Sequence, residues 1–455
     1  MAERGKIPLC CFDIFYNGAL EFSLAPPTTR LGRVHANGPI YVGSAASHYF
    51  IKTVSTTSTI SSIAVDGQTS YGTSSTFFLG TPATLTNGAA LLLFVSTLTN
   101  NAHVLIDIPP AAENPMSSLG QERFYNKAQM VLLVTNDATG LNTNPTVTLL
   151  LRTSVNGAVP GNDPAAASYT ITNASPDTLA GSFPFLALTN NFYDRREQKT
   201  NIVTDFDVGI FASWAATNEQ VQAKLPASAS VFPTILFVSD QRTKTSYQSG
   251  QLAVVRARNG AQLPFNNGSG FTLATPNPLY VLGNYNIQIP GSTNLSLSTN
   301  DTTYTVPAAL ISDALTVFAS TWADTNSYSI FYSGSSLYKT TNTTINAAII
   351  TGTMPSTGTS GTTFSGGVHN LPRLLQDWIN SGVGNGFWLN TSIICLWDSR
   401  MATNQFRNPP GFNPTPVNPY YNPPSRHFNF DTNFLNPAKM PPGIPSVSFS
   451  WPTNQ

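Results

Sequence analysis

The sequence predicts a mainly β fold: a parallel β-helix (β-solenoid) scaffold with a small α+β insertion and an extended, Pro- and aromatic-rich C-terminal strap. Three observations point there. First, Asn37-Gly38-Pro39-Ile40-Tyr41-Val42-Gly43 is nearly restated as Asn277-Pro278-Leu279-Tyr280-Val281-Leu282-Gly283-Asn284. Each reads as a short strand with Pro at its start and Gly or Asn at its exit. Second, charged residues make up only 10% of the chain, against roughly 25% in an ordinary soluble domain. Polarity comes instead from Asn, Thr, Ser and Gly, which fit tight corners and hydrogen-bond to nearby backbone. Third, a hydrophobic share of 41% with 27 Phe excludes wholesale disorder.

Taken in order, residues 1–115 read as the first part of the solenoid. Ile14-Phe15-Tyr16, Leu20-Glu21-Phe22 and Ile40-Tyr41-Val42 favour strands, and residues 55–75 set Ile60, Ile63 and Val65 among small polar residues. Pro109-Pro110 breaks the run. Residues 116–230 form the expected α+β insertion. Its apolar runs 129–134 and 146–151 suit a sheet covered on both faces. A helix is expected over residues 207–225, with Ile210, Phe211, Trp214, Val221 and Leu225 on or near one face. Residues 231–370 return to short strands, the second part of the solenoid. Residues 371–455 form a capping helix and the strap. The helix opens at Asn370, tolerates Pro372 in its first turn, and buries Leu371, Leu374, Leu375 and Trp378 at helical spacing. In the strap, prolines keep the chain extended and Tyr420, Tyr421, Phe428, Phe430, Phe434 and Trp451 are candidate capping or interaction residues.

Lys+Arg and Asp+Glu are 22 each, so no net field steers the chain to nucleic acid or anionic lipid. The longest apolar run, residues 89–95, falls far short of the roughly 20 residues of a membrane span. No secretory leader opens the chain, and the expectation is that the native start lies upstream. Extracellular or cell-surface location is expected from the low charge. Cys10 or Cys11 could bridge Cys395 in an oxidising compartment, but buried free thiols are the plainer reading.

Little chemistry is written in motifs. His35, His48, His103, His369 and His427 stand outside any zinc spacing, so no metal, cofactor or catalytic residue is assigned. The acid pairs Asp205/Asp207 and Asp301/Asp313 invite a glycosidase reading; for the first, an exposed strand residue plus a helix N-cap is the plainer one. Asp194-Arg195-Arg196-Glu197-Gln198-Lys199 reads as a solvated mixed-charge turn. Tyr41, Tyr280 and Tyr285 are candidates for a sugar-binding face. Six N-x-S/T sequons (Asn173, Asn267, Asn294, Asn300, Asn342, Asn390) are what chance yields in so Asn- and Thr-rich a chain.

Several phrases in series carry a resemblance: Phe15-Tyr16-Asn17; Gly32-Arg33-Val34-His35-Ala36-Asn37-Gly38; Gln121-Glu122-Arg123-Phe124-Tyr125-Asn126-Lys127; Phe192-Tyr193-Asp194-Arg195-Arg196-Glu197; Asn277-Pro278-Leu279-Tyr280-Val281; Pro307-Ala308-Ala309-Leu310-Ile311; Asn370-Leu371-Pro372-Arg373; and Pro441-Pro442-Gly443-Ile444-Pro445. In this order the chain resembles bacterial type IV pilus accessory or minor-pilin-like surface proteins. The resemblance implies a β-helical ectodomain behind a pilin-type apolar helix, which this chain lacks. It brings no catalytic residues.

The leading expectation is an extracellular structural or interaction protein, pilus-associated or adhesive, with self-association into a fibre or binding to pilus and cell-surface proteins. A polysaccharide-binding or polysaccharide-cleaving β-helix is the first alternative. A viral coat or tail protein is the second.

Overall fold

The structure, a computed structural model, describes residues 4–23, 25–44, 46–65, 75–80, 83–84, 91–93, 101–140, 144–153, 159–171, 183–225, 232–242, 250–265, 269–290, 292, 296–330, 336–356, 364–380, 383–406 and 420–450. It is mainly β. A 12-stranded sheet dominates. Its order runs Ala83–Thr84, Val54–Thr56, Arg33–Ala36, Phe12–Tyr16, Ile393–Asp398, Ala348–Thr353, Ala308–Ser312, Phe271–Ala274, Ile235–Asp240, Met130–Thr135, Thr146–Leu151, Ala167–Ile171. Pairing is parallel from the first of these to Met130–Thr135, and antiparallel across the last three strands.

Near the N-terminus three separate parallel ladders share one register. Val34 pairs with Val54, Ile40 with Ile60 and Thr28 with His48. Side chains follow the same step: His35 bonds Ser55, and Asn37 bonds Asn17, each 20 residues away. Asn37 and Asn277 occupy equivalent corners. The Asn37 amide donates to the Asn17 side chain and the Leu91 carbonyl; the Asn277 amide donates to the Asp240 and Ala253 carbonyls. Each corner is thus tied to a neighbouring one, satisfying backbone groups that a tight turn would otherwise leave unpaired. Backbones approach closely here: a Cβ on Gly43 would lie 2.3 Å from the Ala64 nitrogen.

Both faces of the 12-stranded sheet are buried. Met130, Leu132 and Val134 point into one core cluster and Val131 into another; Leu310 and Ile311, then Ile393 and Ile394, divide in the same way. This is why the strands read as unbroken apolar runs. The first cluster fills the space shared with a 6-stranded sheet (including Lys199–Asp207, Gln251–Arg258, Leu279–Leu282 and Leu315–Phe318) and a 3-stranded one (Thr343–Asn346, Gly386–Thr391, Ser425–Phe430). The second is roofed by Leu9, Leu105, Phe124, Phe430, Phe434 and Val447.

Four expectations are corrected. The stretch 116–230 is not set apart, because Met130–Thr135 pairs with Ile235–Asp240 and Lys199–Asp207 with Gln251–Arg258. The helix over 207–225 is two, Val208–Thr217 and Glu219–Lys224, since Asn218 turns extended to cap the second by accepting from the Val221 N–H. Ile210 faces outward at 40% exposure. No helix follows Asn370. Leu371, Leu374, Leu375 and Trp378 are all buried, yet Arg373 pairs backbone with Leu315 and Val317, and Asp377 with Tyr338. Tertiary pairing overrides helical spacing. The C-terminal segment is more than a strap: Ser425–Phe430 extends a parallel ladder, and Ser446–Ser450 pairs with Arg4–Pro8 and Leu92–Leu93. No helix among the described residues is long and apolar enough to cross a membrane.

Candidate functional site

A cavity of about 380 Å³ opens where two neighbouring parallel strands end. Tyr16 and Asn17 come from one, Leu396, Trp397 and Asp398 from the other. Register shifts between Thr351 and Gly352, so that Gly352 stands opposite Trp397. A Cβ on Gly352 would lie 2.5 Å from the indole and 2.6 Å from the Asp313 carbonyl; only glycine lets the indole settle there. Trp397 leaves its Nε1 without a partner. Two carboxylates line the cavity. Glu21 is buried and accepts from the Ser356 and Ser365 hydroxyls at 2.9 and 3.3 Å; Asp398 is exposed.

His103 forms part of the same wall and is held by carboxylates on both sides. Nδ1 lies 2.8 Å from Asp107 and Nε2 lies 3.1 Å from Asp313. Asp313 is fully buried and also accepts from the Ser399 hydroxyl at 2.6 Å and the Arg400 N–H at 2.6 Å. Arg400 bonds Asp107 at 2.9 Å. With both ring nitrogens engaged, His103 has no lone pair to offer a substrate, so the cluster acts as a clamp and not as a general base. Burial alone would lower the His103 pKa, but its bonds to Asp107 and Asp313 outweigh burial and raise it; Asp107 and Asp313 are lowered. A raised histidine contributes stability that is complete below its unfolded value near 6.5 and is lost as pH rises through the folded value. The lowered carboxylates contribute above their unfolded value and lose it as pH falls through the folded one. His103→Gln is therefore expected to lose stability relative to wild type at pH 6, and the gap in urea midpoint is expected to narrow as pH rises past the folded histidine value. A gap independent of pH would contradict the clamp.

Of the residues singled out by sequence, few meet at this cavity. Tyr280 and Tyr285 are each 1% exposed. The Tyr280 hydroxyl donates to Asp194 at 2.6 Å and accepts from Asn201 at 2.9 Å, and Tyr285 lies against Gly260. A sugar cannot stack on them; only Tyr41 is partly exposed. The strap aromatics are inward as well. Tyr420, Tyr421, Phe430 and Phe434 are buried, Phe428 is partly buried against Phe387, and Trp451 lies outside the described residues. Their burial packs the described part of the C-terminal segment onto the body.

The supposed solvated turn is also internal. Asp194, Arg196 and Glu197 are at most 2% exposed. Glu197 pairs with Arg373 and accepts from the Asn404 N–H at 3.0 Å. Burial, with Glu197 beside it, pushes Asp194 up. Asp205 is gripped by Arg256 at 2.6 and 2.7 Å; Asp207 caps the helix Val208–Thr217 by accepting from the Ile210 N–H at 2.9 Å. This is the N-cap reading, with Asp205 buried rather than exposed. Asp301 accepts from the Thr303 N–H in an exposed turn. Cys10, Cys11 and Cys395 are free thiols. Asn390 is 2% exposed and its amide bonds inward, which bars a glycan there; Asn173, Asn267 and Asn294 lie outside the described residues. Among the described residues no cluster of His, Cys, Asp or Glu could hold a metal ion.

Sequence reasoning missed Glu21, His103, Trp397 and Asp398 as neighbours. Glu21, His103 and the adjacent Trp397 and Asp398 come from three separate segments of the chain, and no local spacing links those segments. No family model, curated protein or solved structure matches this chain.

Proposed function

We propose that the chain is a structural and interaction protein of a cell surface, pilus-associated or adhesive, whose working part is a rigid parallel β-solenoid. One observation carries the reading: three ladders advance by a common 20 residues per step around residues 28–61. A chain that returns to three sheets in step is coiling, and stacked coils transmit shape along an axis. The charge inventory supports the same reading. Asp13, Asp194, Glu197, Asp205, Asp240, Arg242, Arg256 and Arg373 are buried, and each is engaged by protein groups. Ionic residues fixed in this way serve rigidity and register and leave little for turnover. The pilus-type placement follows from the resemblance of the motif series.

Electron microscopy of the native cell surface, with the chain labelled, tests this. Label on filaments or surface appendages is the expected result; a cytosolic distribution would overturn it.

A second reading rests on the 380 Å³ cavity, which sets Glu21, Asp398, Tyr16 and Trp397 around one space suited to a saccharide. New reducing ends from a polysaccharide panel, abolished by Glu21→Gln, would favour that reading over the first.

A further inference from the structure

We propose that the small pocket between Thr28–Arg30, Val368–Asn370 and Ser425–Phe430 is a binding site for a halide-sized monovalent anion, chloride being the natural occupant. The juxtaposition behind this is Arg30, Arg426 and His369 around one cavity, with no Asp or Glu among its lining residues.

Arg30 is 2% exposed. It pairs with Asp13 and donates from Nη1 to the Phe428 carbonyl at 3.0 Å, leaving its Nε–H without an acceptor. His369 is 9% exposed and its Nδ1 also has no partner. Its carbonyl accepts from Arg426 Nε at 2.9 Å. Arg426 donates a second bond to the Asn370 side chain at 2.5 Å, but among the described residues it forms no ion pair with a carboxylate. Asp13 balances Arg30; nothing acidic balances Arg426. A second unpartnered imidazole lies within electrostatic reach of His369: His48 is fully buried with both ring nitrogens unsatisfied.

Arg426 is half-buried, and drawing a guanidinium partly out of water without a counter-charge is costly, while the unsatisfied Arg30 Nε–H beside it adds to that cost. One anion of charge −1 answers both. Size narrows the class. The cavity is about 30 Å³, room for one small occupant. The small volume favours a single monatomic anion over a polyatomic one.

The test uses the full chain. Crystals equilibrated in sodium bromide are measured at the bromide edge. An anomalous peak touching Arg30 and Arg426 is the expected result; a cavity without a peak would overturn the proposal. In solution, melting temperature is followed against sodium chloride, bromide and acetate at constant ionic strength. The halides are expected to raise it in a saturable way, and Arg426→Gln is expected to weaken that dependence at least tenfold. Thr28→Val, which keeps both arginines, is expected to weaken it less. A response to acetate and not to halide would assign the site to a carboxylate and overturn the halide class. Equal responses to all three salts, or a halide response unchanged in Arg426→Gln, would do the same.

Discussion

Arg256→Ala is expected to destabilise the fold by about 3–5 kcal/mol, the range for leaving a buried charge unpaired. Arg256 stands opposite Asp205 on paired parallel strands. Its guanidinium grips Asp205 at 2.6 and 2.7 Å and Asp324 at 2.6 and 3.0 Å, and lies 5.6 Å from the Phe192 ring centroid. Burial works against its charge, but the bonds to Asp205 and Asp324 prevail and hold its pKa above the ordinary value. Asp205 has no exposed surface; among the described residues, without the arginine its carboxylate keeps the Asn190 amide at 2.5 Å. Arg256→Met with Asp205→Leu is expected to cost less than Arg256→Ala alone, because the unpaired charge goes with its partner. Urea unfolding of the three proteins checks this. A single variant within 1 kcal/mol of wild type (about the size of an exposed pair) would show that the network is solvated.

Asn346→Leu is expected to cost about 2–6 kcal/mol, from two orphaned polar groups at roughly 1–3 kcal/mol each. Asn346 sits inside a ladder of asparagines on successive parallel strands. Its amide donates to the Asn286 carbonyl at 2.9 Å, and its side-chain oxygen accepts from the Asn390 amide at 2.7 Å. Asn429 then donates to Asn390 at 3.1 Å. Asn346 and Asn390 are each 2% exposed. Leucine matches the volume but satisfies neither neighbour. Hydrogen exchange is expected to quicken in Thr343–Asn346 and Gly386–Thr391 and to stay unchanged in Met130–Thr135. Unchanged exchange beside the substitution would mean that the ladder is not a coupled unit.

Much of the local architecture was legible. The strand opening at Ile40 and the strand opening at Leu279 both lie in parallel ladders, and the Asn corners before them are tied to neighbouring corners as such turns require. The low charge content was a true sign of strands and corners. Long-range order was not legible. Reading in chain order places residues 1–115 first and an insertion after them, whereas Phe12–Tyr16 pairs with Ile393–Asp398, so the N-terminal strands continue the sheet from a strand far later in the chain. Asn17 bonds the Leu396 carbonyl across 379 residues, and nothing local announces such a contact. Burial of aromatic and ionic residues was misjudged for one reason: Tyr280 with Asp194, and Arg373 with Glu197, satisfy each other inside, and sequence shows polarity without showing its partner. The cavity with Glu21, His103 and Asp398 was invisible for the same reason.

The proposed solenoid requires that the ladders around residues 28–61 keep step, and paired cysteines read that step directly. Thr29 is opposite Tyr49, and Tyr41 is opposite Ser61; a disulfide needs Cα atoms within about 4.4–6.8 Å. Thr29→Cys with Tyr49→Cys, and Tyr41→Cys with Ser61→Cys, are each made in the otherwise intact chain, oxidised mildly and mapped by mass spectrometry. The account predicts a 29–49 link and a 41–61 link, with no link when the second cysteine of the first pair is moved to Ile51. A link to position 51 in place of 49, or a 41–61 pair that never closes, would show that the faces do not advance together and would contradict the coiled scaffold.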